Sequence, residues 1–331
     1  MTASNLKILA AISVALILVL FALQLGEDDT SVSGQPLLPG LKSKINDIES
    51  VTVTRAGDDA QTVIEKSESG WVVSSRNGYP ADVGKLRELL LALADAKAIE
   101  RKTSNAELYE NLGLRDPEIE GSRATRLELG WPEDTVSVVI GNVAQGGYRY
   151  ARVGSEPQSW LIDKNPAIPG TTGEWLLREI LDIKAADIRS ATISHPDGEE
   201  IRINKISDEG SDFEVTNIPE GRELSYATVA NSITGVLSSL SLEDVREAGE
   251  VSGDAVTTIF ETVEGARIEI LTEKSDDESW ITVSATSEAG LDAITALNER
   301  TSGWQFRIPQ YKANQLTRRW DDILKAASDG E

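Results

Sequence analysis

The chain has 331 residues, 40% of them hydrophobic and 26% charged, a composition typical of a folded protein of about two domains. Its 55 acidic and 32 basic residues give a net charge of −23, which argues against nucleic-acid binding because carboxylates repel phosphates. The absence of cysteine excludes disulfides and thiolate sites, and the single histidine, His195, excludes a multi-histidine metal site. His195 itself, in SHPDGEE, is predicted to lie in a turn.

Residues 1–26 are predicted to form a transmembrane signal-anchor. Leu6 to Leu25 is an almost unbroken apolar run that, as a helix, spans about 30 Å of hydrocarbon. The residues assigned to the anchor are Ile8, Leu16, Leu20 and Leu23. Lysine precedes the run and three acidic residues follow it, so the positive-inside rule predicts a cytoplasmic N-terminus, with the rest of the chain outside. A cleaved signal peptide is the alternative, and residues 27–44 are predicted to be a tether.

The rest of the chain contains two copies of one pattern. Asp47-Ile48 and the polar positions Ser50 and Thr52 recur, at the same spacing, in the segment that starts at Asp187. Such a duplication predicts a fold of class α+β, in which the anchor is followed by two tandem domains, residues 45–184 and 185–331, each an antiparallel meander sheet with packed helices.

The first copy begins with strands and a helix after YPAD, for which Asp82 is the predicted N-cap. A four-strand antiparallel meander follows, with strands TRLELGW, TVSVVIG, YRYARVG and SWLID. The turn GNVAQGG between two of these strands requires glycines with positive φ. GTTGEWLLREIL is predicted to close the copy as a helix, with Leu176, Ile180 and Ile183 on one face.

The second copy is predicted to repeat this plan. Apolar periodicity predicts one helix from Ala227 to Leu240 and a last helix from Asn314 to Ala326. Between them lie strands such as TTIFETV, ARIEILT and SWITVSA, which alternate apolar and polar residues.

A partner-binding surface is predicted on the first copy. Six of the seven tryptophans fall where a strand or helix would face the core, but Trp131 lies beside Pro132 at a turn, near the tyrosines of a neighbouring hairpin. The predicted surface comprises Tyr109, Leu112, Leu114, Trp131, Tyr148, Arg149, Tyr150 and Arg152. A solvated hairpin with cross-strand pairs is the alternative interpretation. The paired carboxylates lie in predicted turns that water solvates, so no catalytic, cofactor-binding or metal-ligating residue is predicted.

Several motifs together resemble the bacterial DUF4340 family. They are, in chain order, GW at Gly70, YPAD at Tyr79, NLGLRDP at Asn111, VIGN at Val139, GGYRYAR at Gly146 and WLID at Trp160. The similarity covers about Ile45 to Ile183 well and the second copy more weakly, because the second copy lacks the GLxxP-like and GGYYAR-like elements.

The resemblance implies a function and a location but no catalytic residue. It implies a protein of the bacterial inner membrane whose domains lie in the periplasm, a non-enzymatic accessory subunit of an ABC-type transporter, with the permease and ATPase as partners. The alternative is a free-standing envelope module that binds glycan or peptide through the YENLGLRDP loop and the GGYRYAR hairpin. A third hypothesis is a hydrolase that uses carboxylates of the turns.

Overall fold

The computed structural model describes residues 34–326, apart from residues 57–60, 155, 208–209, 211, 227, 276–277, 289 and 291. The predicted anchor, with Ile8, Leu16, Leu20 and Leu23, lies outside the described residues. In the part of the chain that is described, no helix combines the length and the apolar character needed to cross a membrane. This finding contradicts the prediction that the chain is a single-pass protein of the inner membrane.

Antiparallel sheet dominates the described chain. The strands are β1 Gln35–Pro36, β2 Ser50–Thr54, β3 Gln61–Ser67, β4 Gly70–Val73, β5 Tyr79–Pro80, β6 Lys97–Arg101, β7 Thr125–Gly130, β8 Thr135–Val143, β9 Arg149–Val153, β10 Ser159–Ile162, β11 Glu179–Leu181, β12 Ile188–Ser194, β13 Glu200–Lys205, β14 Phe213–Val215, β15 Leu240–Ser241, β16 Asp244–Glu247, β17 Val256–Thr262, β18 Ala266–Ser275, β19 Glu278–Ser287 and β20 Trp304–Arg307. The helices are α1 Leu41–Lys44, α2 Val83–Asp95, α3 Tyr109–Leu112, α4 Val229–Thr234, α5 Asp292–Thr301, α6 Gln310–Leu316 and α7 Trp320–Ile323.

These strands form three sheets. The first has ten strands in the order β1-β6-β10-β9-β8-β7-β2-β3-β4-β5, and the second has eight in the order β14-β13-β12-β17-β18-β19-β20-β16. A two-stranded sheet joins β11, which precedes the second sheet in the chain, to β15, which lies between β14 and β16. The predicted fold class is therefore wrong. The anchor helix is not among the described helices, the longest of which has 13 residues, and the described chain is predominantly antiparallel sheet.

Local features of the first copy are confirmed. The side chain of Asp82 accepts a hydrogen bond from the backbone N–H of Lys85 at 3.2 Å and so caps helix α2. The sequence predicts an apolar stripe of Val83, Leu86, Leu90 and Leu93, ended by the stem of Lys97. Its three leucines are buried, whereas Val83 is 44% exposed and Lys97 lies beyond the helix in β6. Strands β7, β8, β9 and β10 pair in sequence as the predicted meander.

Three predicted helices differ in the structure. Residues 172–175 form a 3₁₀ turn, and Glu179–Leu181 forms strand β11 instead of a helix. The helix predicted at residues 227–240 is reduced to α4 and a 3₁₀ turn before β15. The last predicted helix is divided into α6 and α7. Short apolar runs suit either a helix or a strand, and pairing of β11 with β15 decides between them.

The first and second sheets share one continuous hydrophobic core. The ring of Tyr79, in edge strand β5 of the first sheet, contacts Trp304 of β20 edge-on with a centroid distance of 5.1 Å. The guanidinium of Arg76 forms an ion pair with Asp244 of strand β16 at 2.7 Å. Packing between the two halves of the chain, residues 45–184 and 185–331, is therefore part of the fold. The predicted domain boundary between them stays a prediction.

Candidate binding surface

Most of the residues predicted as a binding surface lie in one small cluster beside strands β8 and β9. Tyr109 and Leu114 are buried there, together with Ala124 and Val139, and Leu112 and Tyr150 pack against them. The loop that carries the YENLGLRDP motif is therefore held against the hairpin that carries GGYRYAR.

Polar contacts of Arg152 and Tyr109 fasten this loop. Arg152 is 6% exposed, and its guanidinium donates to Asp116 Oδ1 at 2.6 Å and to the carbonyl of Gly154 at 2.7 Å. It also lies 5.1 Å from the centroid of the Tyr109 ring, whose hydroxyl donates to the carbonyl of Pro157 at 2.5 Å. The Tyr109 hydroxyl and both terminal nitrogens of Arg152 are therefore bonded within the chain, while Arg152 Nε has no hydrogen-bond partner among the described residues.

Two glycines allow the loop and strand β8 to approach each other closely. A Cβ on Gly141 would lie 2.4 Å from the carbonyl oxygen of Leu112. Gly113 has a φ of +67°, and a Cβ there would lie 2.5 Å from Asn142 Oδ1. Two of the motifs that carry the family resemblance, NLGLRDP and VIGN, therefore have a structural explanation in this contact.

The hairpin residues differ in exposure. Tyr148 is exposed at the tip, while Arg149 is half-buried, donating to Asn165 Oδ1 at 2.7 Å and to the carbonyl of Gly141 at 2.6 Å. Burial lowers the pKa of Arg149 from its usual value. Tyr150 is half-buried against the cluster. Of these three residues, Tyr148 is the most exposed, at 39%.

Trp131 lies apart from this cluster. It packs against the main hydrophobic core and not against the cluster around Tyr109. The nine-residue strand β8, about 30 Å long, lies between Trp131 and Tyr148 in the chain. The structure thus divides the predicted surface into a buried cluster near Tyr109 and a separate region around Trp131.

An open groove with a volume of about 840 Å³ lies beside Trp131. Its apolar lining comprises Leu38, Pro39, Leu41, Trp131, Pro132, Val136 and Val153. The indole N–H donates to the backbone carbonyl of Lys44 at 3.0 Å, which fixes the ring while leaving it half-exposed. The groove has the size and the apolar character of a ligand site.

Charged residues at this groove are mainly acidic. Asp47, Glu133 and Asp134 line it, against one cation, Lys44. Glu133 and Asp134 are exposed residues of the turn between β7 and β8, in which the backbone N–H of Trp131 donates to the backbone carbonyl of Asp134 at 2.8 Å. Within the described residues, no group of three His, Asp or Glu side chains is placed to hold a metal ion. The groove therefore suits an apolar ligand with positive charge at its ends.

Five of the twelve residues that line this groove belong to the segment predicted as a tether. Strand β1 pairs with β6, and Leu37, Leu38 and Leu41 are buried against the first sheet. The apolar run LLPGL within an otherwise polar segment was the signal that could have identified them. Gly40, with a φ of +81°, turns the chain into helix α1.

Comparison with known families agrees with the resemblance drawn from the motifs. The model of the family described as "Domain of unknown function (DUF4340)" matches residues 71–293, which is more than half of the chain and includes strands of both large sheets. No curated protein and no solved structure matches the chain. The chain belongs to the DUF4340 family.

Proposed function

We propose that this protein is a non-enzymatic binding protein that takes a short peptide segment of a partner protein into the groove beside Trp131. The observation that carries the proposal is the groove itself, in which a half-exposed indole is held in place over an apolar floor. Tryptophan residues in such positions supply much of the energy of protein recognition, because a large rigid ring loses little entropy on binding.

The charges around the groove define the partner's chemistry. Three carboxylates and one lysine line it, and the whole chain carries a charge of −23. An apolar or aromatic side chain would fill the space between Trp131 and Leu41, and flanking lysine or arginine residues would meet Asp47 and Glu133. The field of the acidic chain would also accelerate the approach of such a segment at low salt.

The permease and ATPase of an ABC-type transporter are candidate owners of this segment. Support for them is the membership of the DUF4340 family and what the resemblance implies about its members. Basic, apolar segments of those two subunits would be tested as peptides in the experiment below.

Selection from a displayed random peptide library against the full-length chain tests the proposal. We expect enrichment of peptides that combine an aromatic or large aliphatic residue with neighbouring lysine or arginine. Trp131→Ala should weaken the selected peptides by at least about tenfold, which corresponds to about 1.4 kcal/mol. The triple change Asp47→Asn, Glu133→Gln and Asp134→Asn should reduce both their affinity and its dependence on salt.

Tyr148→Ala is the matched control, since it removes an exposed aromatic ring at the other end of strand β8. This variant should bind the selected peptides as the unaltered chain does. Peptides without basic residues, or affinities that survive Trp131→Ala unchanged, would show that the groove is not the binding site.

A further inference from the structure

A second open groove, of about 420 Å³, lies between helix α2 and the end of the hairpin of β3 and β4, and we call it the α2 groove. Lys66 of β3 pairs with Trp71 of β4, and paired residues of antiparallel strands share one face of a sheet. Ile64 and Val73, the next pair on that face, are fully buried in the core that also contains the leucines of α2. Lys66 is exposed and Trp71 is half-buried, so this pair extends the face beyond the core and into the groove.

The helix contributes an exposed stripe to the other wall of the groove. Val83, Arg87 and Leu91 are spaced four residues apart, so they lie above one another on a single face of α2. The stripe is about 12 Å long at 1.5 Å per residue. Val83 is 44% exposed and Leu91 is 48% exposed, although the other leucines of the helix are buried. Exposed apolar side chains that are contiguous with a half-buried tryptophan mark an interaction surface.

The charges of the α2 groove are opposite in sign to those of the chain as a whole. Two cations, Lys66 and Arg87, line the groove, and none of its described lining residues is acidic, although the chain carries a charge of −23. The Lys66 ammonium donates to the carbonyl of Asn46 at 3.4 Å and lies 5.9 Å from the centroid of the Trp71 ring. It has three N–H donors, so two remain for a ligand. The Arg87 guanidinium forms no hydrogen bond or ion pair with any residue that the structure describes.

The shape of the groove and the charge of the chain narrow the choice of occupant. A pocket for a small molecule encloses most of its ligand, whereas this open groove can cover only one side of an extended or helical segment. A flat anionic membrane would also meet the acidic surface of the rest of the chain, which would repel it. A peptide segment reaches the two cations without contacting that surface.

We infer that the α2 groove is a docking site for an acidic, apolar peptide segment of a partner protein. A large apolar side chain of the segment would lie between Trp71 and Leu91, and carboxylates on either side of it would meet Lys66 and Arg87. This inference does not rest on the function proposed for the groove at Trp131, because the charged lining of that groove is mainly acidic and suits a segment of the opposite charge.

The peptide selection against the full-length chain, carried out at about 0.15 M salt to screen distant charges, also tests this inference. We expect a second family of peptides, in which aspartate or glutamate flanks a large apolar residue. The basic peptides expected for the groove at Trp131 form a separate family, so either proposal can fail without the other. If no acidic family is enriched, the inference about the α2 groove is wrong.

Substitution of the two cations locates the acidic peptides. Lys66→Gln combined with Arg87→Gln should weaken them by about fivefold, because two exposed ion pairs are lost, and should leave the basic peptides unaffected. The matched control is Arg123→Gln combined with Lys164→Gln, which removes the same charge from two exposed residues outside the groove. Equal weakening in both double variants would show that the acidic peptides respond only to net charge, and the inference would be overturned.

Leu91→Ser tests the apolar half of the α2 groove. It should weaken the acidic peptides by about fivefold, since part of a leucine side chain is no longer buried on binding. Leu108→Ser is the control, because Leu108 is 46% exposed but does not line the groove. Unchanged affinity in Leu91→Ser contradicts the inference. So does an absence of acidic peptides together with an effect of the Lys66 and Arg87 double variant on self-association or on binding to phosphatidylglycerol vesicles, because the occupant is then a second copy or a membrane.

Discussion

Replacing Tyr79 by phenylalanine tests how tightly the two halves of the chain pack. The Tyr79 ring is 1% exposed and lies edge-on to Trp304 and Phe306, with centroid distances of 5.1 and 6.0 Å. Its hydroxyl donates to the carbonyl of Leu177 at 3.3 Å. The phenol is therefore in a place where water cannot solvate a negative charge.

Burial raises the pKa of Tyr79 to about 12, and the positive charge of Arg300 opposes this effect only in part. In the unfolded chain the pKa of a tyrosine is about 10. The folded state keeps the proton that the unfolded state loses, so stability is complete below pH 10 and falls as the pH rises towards 12. One unit of pH in this window costs about 1.4 kcal/mol, so at pH 11 the ionisation of Tyr79 lowers the free energy of unfolding by about 1.4 kcal/mol.

Urea unfolding of the full-length chain and of Tyr79→Phe at pH 9, 10 and 11 measures how far the ionisation of Tyr79 lowers the free energy of unfolding. The lost hydrogen bond gives the variant a constant deficit of about 1 kcal/mol at every pH. Between pH 9 and pH 11 we expect the variant to gain about 1.4 kcal/mol relative to the unaltered chain, because phenylalanine does not ionise. If the difference in free energy of unfolding between Tyr79→Phe and the unaltered chain stays constant from pH 9 to pH 11, Tyr79 is not buried between the halves and the reasoning is refuted.

Two further predictions concern close contacts of the backbone and the loop cluster. Gly173→Ala should destabilise the chain by about 2–4 kcal/mol in urea unfolding, because the added Cβ would lie 2.0 Å from the backbone carbonyl oxygen of Glu243. Gly235→Ala is the control, and it should change stability by less than about 1 kcal/mol because the space around Gly235 is open. Equal effects of the two substitutions would contradict the close approach of Gly173 to Glu243. Arg152→Met should cost about 2–3 kcal/mol and accelerate amide hydrogen exchange in residues 105–117, because it removes the contacts that fasten that loop. Unchanged exchange there would show that Arg152 does not hold the loop.

Local patterns predicted a large part of the first sheet. The N-cap at Asp82, the apolar stripe of helix α2 and the meander from β7 to β10 are set by residues close together in the chain, so their periodicity and turn residues were sufficient. The family was also identifiable, because its motifs occur in order along the first copy and the family model matches residues 71–293.

The candidate binding groove was harder to predict because it joins distant segments. The groove combines Leu38 and Leu41 with Trp131. Trp131 was identified because a tryptophan beside a proline at a turn is unusual on its own. Nothing in the residues next to His195 indicated that strand pairing would bury its ring or leave Nδ1 without a partner.

The sequence by itself determined the family, the acidic charge, the capped helix α2 and the order of the meander strands, because each depends on composition or on neighbouring residues. Tertiary structure alone decided that residues 179–181 form a strand rather than a helix, since their partner, strand β15, lies far along the chain. It also decided which polar motifs became buried contacts and which aromatic ring stayed at an open groove. The free energy of a short apolar segment differs little between helix and strand in isolation, so the packing of distant segments determines its conformation.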